Sequence, residues 1–207
     1  QALGIFNGDY TCCSFQAIKH ITTGDGGMLV VDDEGEAHKA KLLRWFGIDR
    51  DKKIENGWKP WAYRRMTYDV DLLGAKRQMN DLAAAMGLEG LAHYHDILAH
   101  RKGLFNQYRE LLRGCAGFRL VDGAVNTYWL CTVVVDRRDA FCEMLLHAEV
   151  ETNIVQVRND IYKVFGGQRA DLPVLNRLEE SNVSLPLGMH VTMDDVDYIC
   201  DKIRGGW

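Results

Sequence analysis

Between Asn80 and Arg113 apolar residues recur at three- and four-residue steps: Leu91, Tyr94, Leu98, Phe105, Tyr108 and Leu112. That spacing draws one apolar stripe along a helix. A long helix with a single greasy face must lie against other layers. Asn80 or Asp81 is placed to cap its start and Gly114 to end it. Gly87, Gly90 and Gly103 weaken the run, so a break or kink is expected within it.

The flanking pattern supplies those layers. Tyr10 to Gln16 and Met28 to Val31 read as strands, and Glu34 to Phe46 as a helix with Ala37, Ala40, Leu43 and Phe46 on one face. Gly47 to Lys76 is polar and irregular, the kind of long connection that serves function or bridges subunits. Past Gly117, strands are expected at Phe118 to Val121, Tyr128 to Val135 and Thr152 to Val157. Helices are expected at Asp139 to Ala148 and after Thr192, where Asp195 completes a capping box. Leu185-Pro186-Leu187 leads into that last helix. The expected class is α/β, with residues 1–115 forming one domain and 116–207 a small α+β domain.

Composition narrows the partners. The 207 residues are 47% apolar and 26% charged, an ordinary globular balance. Against 29 acidic residues stand 25 lysines and arginines, a net charge of −4, so no broad cationic face awaits nucleic acid. No apolar run approaches the roughly 20 residues that cross a bilayer. The six cysteines form no CxxC pair and no zinc spacing with histidine; buried thiols in a reducing compartment are expected, and no metal. No signal-peptide pattern is read, so the cytoplasm is the expected location.

The chemistry concentrates in Ser14-Phe15-Gln16-Ala17-Ile18-Lys19-His20-Ile21-Thr22-Thr23-Gly24-Asp25-Gly26-Gly27. Lys19 stands between Ile18 and Ile21, and apolar neighbours favour a neutral amine. A neutral amine attacks carbonyls to form a Schiff base. Ser14 offers a hydroxyl to an anion such as phosphate, and the glycine-rich turn lets backbone approach a ligand. On spacing alone, a solvated lysine beside an ordinary turn explains the run as well. It is neither a P-loop nor a dinucleotide fingerprint.

The run resembles the cofactor-lysine motif of the DegT/StrS family of pyridoxal-phosphate-dependent nucleotide-sugar aminotransferases: S-F-x-x-x-K, then T-T-G-[DE]-G-G. Every fixed position is matched. Gln1-Ala2-Leu3-Gly4 resembles the end of the family's D-A-A-[QH]-A-L-G. Gly74-Ala75-Lys76-Arg77-Gln78-Met79-Asn80-Asp81 resembles its G-[YF]-[NK]-Y-x-M-[ST]-D, with Ala75 and Arg77 replacing aromatics. Ala83 to Leu88, Ser184-Leu185-Pro186 and Asp194 to Ile199 continue the likeness in order along the chain.

The resemblance implies a fold-type-I, aspartate-aminotransferase-like architecture, with the late part of the large cofactor domain followed by the small domain. It implies that Lys19 holds pyridoxal 5′-phosphate as a Schiff base and shuttles protons, and that Ser14 contacts the phosphate. Gln1 would lie beside the ring hydroxyl, and Lys76 would reach the phosphate of a neighbouring subunit in a homodimer with shared sites. Arg158, in Gln156-Val157-Arg158-Asn159-Asp160, is a candidate contact for a sugar-nucleotide diphosphate or a donor carboxylate, with a surface ion pair as the plainer reading. The implied reaction is transfer of an amino group, with glutamate as donor, to a keto group on a nucleotide-linked deoxysugar, for surface polysaccharide or glycoconjugate synthesis.

Two alternatives stand beside it. A sugar 3-dehydratase branch of the family carries histidine where this chain has Lys19, which argues against dehydration. A non-catalytic fragment or binding module is the other. The family's carboxylate for the pyridine nitrogen, its ring-stacking aromatic and its phosphate turn all lie upstream of Gln1, so these 207 residues alone are not expected to be a competent enzyme.

Overall fold

The computed structural model describes residues 8–57, 59, 61, 70–123 and 126–207. Two compact units divide the chain, Gln1–Ala92 and His93–Trp207.

The first unit begins with a hairpin. Strand β1 (Tyr10–Ser14) pairs antiparallel with β2 (Gly27–Val31), in a register that sets Tyr10 opposite Val31 and Ser14 opposite Gly27. Residues 15–26 connect the two strands and contain Lys19. Helix α1 (Glu34–Leu43) starts where Asp33 accepts the Glu36 amide at 2.8 Å; Glu34 and Glu36 in its first turn and Lys41 in its last suit the helix dipole. Helix α2 (Arg50–Glu55) lies inside the stretch expected to be irregular. Its cap is Asp49, which accepts from the amides of Asp51 and Lys52.

The long apolar stripe is broken into helices α3 (Asp81–Ala92) and α4 (Tyr94–Leu111). Asn80 caps α3 through the Ala83 amide at 2.9 Å. The break falls at His93, at φ −96° and ψ 5°, and not at a glycine. Helix α4 goes with the second unit, because its Leu104, Phe105, Tyr108 and the following Leu112 are buried in that unit's core. The compact units therefore divide earlier than the 115/116 boundary read from the sequence.

The second unit holds an antiparallel sheet in the order β3 (Phe118–Leu120), β4 (Cys131–Val135), β5 (Asn182–Leu185). Along β4, Cys131, Val133 and Val135 face the core while Thr132 and Val134 do not, the period-two pattern of a strand. Helices α5 (Arg138–His147), α6 (Pro173–Ser181) and α7 (Met193–Arg204) complete the unit. Phe141, Leu145, Val196, Ile199 and Ile203 close the core. The expected strand at Thr152 to Val157 reduces to one bridge, Asn153 to Ser184; the chain beyond it turns into the Arg158 cluster described below.

The capping box on α7 is present in full: Thr192 Oγ1 accepts from the Asp195 amide at 3.1 Å, and Asp195 accepts from the Thr192 amide at 2.8 Å. Thr192→Ala is expected to cost about 1 kcal/mol, read as a lower chemical-denaturation midpoint with unchanged slope.

Candidate active site

The loop that carries Lys19 is closed at a neck. The Phe15 amide donates to the Gly26 carbonyl, and the Thr23 amide donates to the Phe15 carbonyl, both at 2.9 Å. Inside that neck the Lys19 amide reaches the Gln16 carbonyl at 2.9 Å, and the Ile18 amide reaches Gln16 Oε1 at 3.2 Å. Thr22 Oγ1 accepts from the Gly24 amide at 3.0 Å, turning the chain back toward β2. Lys19 and His20 are half-buried in this loop. Ser14, the last residue of β1, is exposed; its Oγ accepts from the Gln16 amide at 3.4 Å. The hairpin thus ends β1 at Ser14 and carries Lys19 on the connection that follows it.

Lys76 belongs to the same unit but to another segment. Its neighbours Ala75 and Arg77 donate their amides to the carbonyls of Leu43 and Arg44, so the 75–77 stretch runs along the end of α1. Close backbone approach makes this possible. A Cβ on Gly74 would lie 2.4 Å from the Gly47 nitrogen, and a Cβ on Gly47, at φ +75°, would lie 1.8 Å from the Leu72 carbonyl oxygen. Lys76 itself is exposed. A cleft of about 880 Å³ runs between β2, α1 and residues 77–79, with Phe15, Met28, Lys41, Arg44 and Arg77 among its walls. Ser14, Lys19 and Lys76 do not line it. Gln1 lies outside the described residues.

Arg158 sits in an ion-pair cluster, the plainer of its two readings, although the cluster is buried and not on the surface. The side chain is fully buried, and each of its five N–H donors is engaged within the second unit. Nε and Nη2 grip the two oxygens of Asp160 at 2.6 Å; Nη1 meets Asn176 at 2.6 Å and Glu179 at 3.0 Å; Nη2 also reaches the Arg169 carbonyl at 3.1 Å. No donor is left for a diphosphate or a carboxylate, so Arg158 is a clamp that ties residues 158–171 to α6. The ion pair itself is the plainer expectation; its burial and its partner Glu179, 21 residues away, are not readable from the local sequence.

That clamp makes a pH prediction. The Arg158 guanidinium, aided by the Arg169 amide, holds the Asp160 carboxyl well below the usual carboxylate range. A lowered folded pKa contributes stability above the unfolded value of about 3.9 and loses it as pH falls further. The melting temperature of the wild type should therefore exceed that of Asp160→Asn at about pH 6, and the gap should shrink below about pH 4. A gap independent of pH over that window would remove the ion pair as its cause.

The cysteines divide. Cys131 and Cys200 are buried, and burial pushes both thiols up, Cys200 to about 12, which makes them inert packing groups. Cys12, expected to be a strand-core thiol, is exposed on the same face of β1 as Tyr10 and Ser14. Among the described residues no cluster of histidine, cysteine or carboxylate could hold a metal ion, and no helix is long and apolar enough to cross a membrane.

Relatives are similar in sequence and fold over about half their length. The chain is 30% identical to the spore coat polysaccharide biosynthesis protein SpsC of Bacillus subtilis, over 95% of this chain and 53% of that protein. It is 28% identical to the dTDP-4-dehydro-2,3,6-trideoxy-D-glucose 4-aminotransferase of Saccharopolyspora spinosa, over 95% and 51%. Its structure matches the crystal structure of the sugar aminotransferase CalS13 from Micromonospora echinospora with a TM-score of 0.85 at 30% identity, over 97% of this chain and 53% of that one. The chain thus spans about half the length of the relatives it matches, and its fold is the corresponding part of the fold-type-I aminotransferase architecture. Residues 1–204 match the DegT/DnrJ/EryC1/StrS aminotransferase family, and the chain belongs to it.

Proposed function

We propose that this chain is the lysine-bearing half of a pyridoxal-phosphate-dependent aminotransferase acting on a keto group of a nucleotide-linked deoxysugar, with glutamate as amino donor. The observation that carries the reading is the closed loop between β1 and β2, which contains Lys19 and follows directly on Ser14, in a chain that matches the family over residues 1–204. The substrate class is supported by the dTDP-sugar aminotransferase among the relatives.

The residues present suit two ends of the cofactor. Lys19 Nζ is the nucleophile for an aldehyde, and Ser14 Oγ is a donor for a phosphate oxygen. Lys76, exposed, is a cation for the phosphate of a neighbouring subunit in a homodimer with shared sites. When bound, the cofactor supplies the electron sink. Lys19 Nζ then takes a proton from one carbon and returns it to another. Gln1 is proposed to lie beside the ring hydroxyl, from the motif alone.

Because the chain spans about half of its relatives, activity is proposed for the protein that also carries the remaining half, and the 207 residues alone are proposed to be inactive. Pyridoxal phosphate is titrated into the chain alone and with that half supplied, and the label is fixed with borohydride. Label on Lys19 in preference to Lys39 and Lys52, strengthened by the added half, supports the reading. An even spread over all lysines in both samples would sink it.

A further inference from the structure

Thr23 is where the lysine loop meets a helix. Thr23 and Gly47 are the only described residues of Gln1–Ala92 that are buried. The Thr23 amide holds the Phe15 carbonyl at 2.9 Å and so closes the neck behind Lys19. Its hydroxyl donates to the Asp25 carbonyl at 3.1 Å. The far side of the turn makes room for it, since a Cβ on Gly26 would lie 2.4 Å from Thr23 Oγ1.

The third contact of Thr23 is with α3. A Cβ on Gly87 would stand 3.0 Å from Thr23 Cγ2, the one atom within 4 Å of it among the described residues outside its chain neighbours and the helix's own nearby backbone. One turn further, a Cβ on Gly90 would stand 3.2 Å from Ile21 Cγ2. Glycine weakens a helix interior, and Gly87 has no left-handed backbone that would require it. Its use at this position is to let α3 sit directly against the base of the lysine loop.

We infer that Gly87 and Thr23 are positioning residues for Lys19: the helix presses on the Thr23 methyl, Thr23 holds the neck, and the neck fixes the loop that presents the amine. The inference rests on the reading of Lys19 as the cofactor lysine. The two residues act through packing and touch no reacting atom.

The contact is a single pair of atoms, so it can be broken and mended by size alone. Gly87→Ala adds the carbon that meets Thr23 Cγ2, and Thr23→Ser in the same chain removes Cγ2 while keeping the hydroxyl. Two quantities are read in the full chain: amide exchange at Phe15, Lys19 and Thr23, and the share of borohydride-fixed pyridoxal phosphate on Lys19 relative to Lys39 and Lys52. Gly87→Ala should speed exchange about tenfold and lower the Lys19 share by a similar factor. The double variant should return both to within about twofold of wild type. Helix propensity alone predicts the opposite sign, because alanine strengthens α3. If Gly87→Ala leaves both readings as in wild type, or the double variant fails to restore them, the inference is overturned and the role of Lys19 stands. If the wild type itself shows no preference for Lys19, the cofactor reading fails and takes this inference with it.

Discussion

Lys19→Ala is expected to abolish the borohydride-fixed label at position 19 and, in the protein carrying both halves, to reduce amino transfer by about 10²–10⁴-fold. The size follows from the two tasks given to one nitrogen, holding the cofactor aldehyde and moving the proton. Lys19→Arg separates charge from nucleophilicity. Arginine keeps the cation but stays protonated, so it cannot attack a carbonyl. Both variants should therefore fail alike, while surface changes such as Lys39→Ala and Lys52→Ala should leave labelling and turnover within about twofold. Turnover in Lys19→Arg near the wild-type rate would mean that position 19 serves as a charge and the transaminase proposal is wrong.

Phe141→Ala carries the largest expected cost in stability, about 3–5 kcal/mol. The ring is fully buried in the second unit and meets the Trp207 ring edge-on, with centroids 5.1 Å apart, and the Phe118 ring at 6.4 Å. Removing it costs the transfer of the aromatic side chain and leaves a cavity that β4, α5 and the C-terminal tryptophan must close. Natural domains have only about 5–15 kcal/mol in hand, so this change takes a large fraction of the total. Urea unfolding followed by tryptophan fluorescence reads it as a lower midpoint with an unchanged slope. A loss below about 1 kcal/mol would contradict the packing described for Phe141.

What the sequence revealed and concealed follows from how each element is stabilised. The hairpin strands, α1, α5 and α7 were legible because short apolar or aromatic runs, helical spacing or a side-chain cap mark them, with Asp195 three residues after Thr192 as the clearest case. Helix α2 was hidden because its six residues, Arg50–Glu55, have no apolar stripe; the one cue was its cap Asp49, inside a stretch that reads as polar and irregular. Strand β5 is buried along all four residues and so shows no alternation, and its Asn182 and Ser184 look like loop residues. The long stripe was read as helix correctly, but its interruption at His93 has no marker in residue type, and Gly87 and Gly90 turned out to be contact points inside α3.

The site was legible to a different degree. Ser14 and Lys19 stood out through a motif whose members are near neighbours in the chain, and local hydrogen bonds are enough to hold such a loop. Arg158 was legible as an ion-pair candidate, but a lone arginine in sequence shows its charge and not its partners. Asp160, Asn176, Glu179 and the Arg169 carbonyl come together only through the tertiary fold.

The apolar side chains that are buried among the described residues belong to His93–Trp207, whereas Met28, Leu29, Leu82 and Leu88 in the hairpin and α3 face outward. Apolar hydration is the source of the heat-capacity rise on melting. The calorimetric signature of this polypeptide is thus concentrated in its C-terminal portion, and the lysine-bearing portion gains cooperativity only to the extent that further surface comes to lie over those side chains.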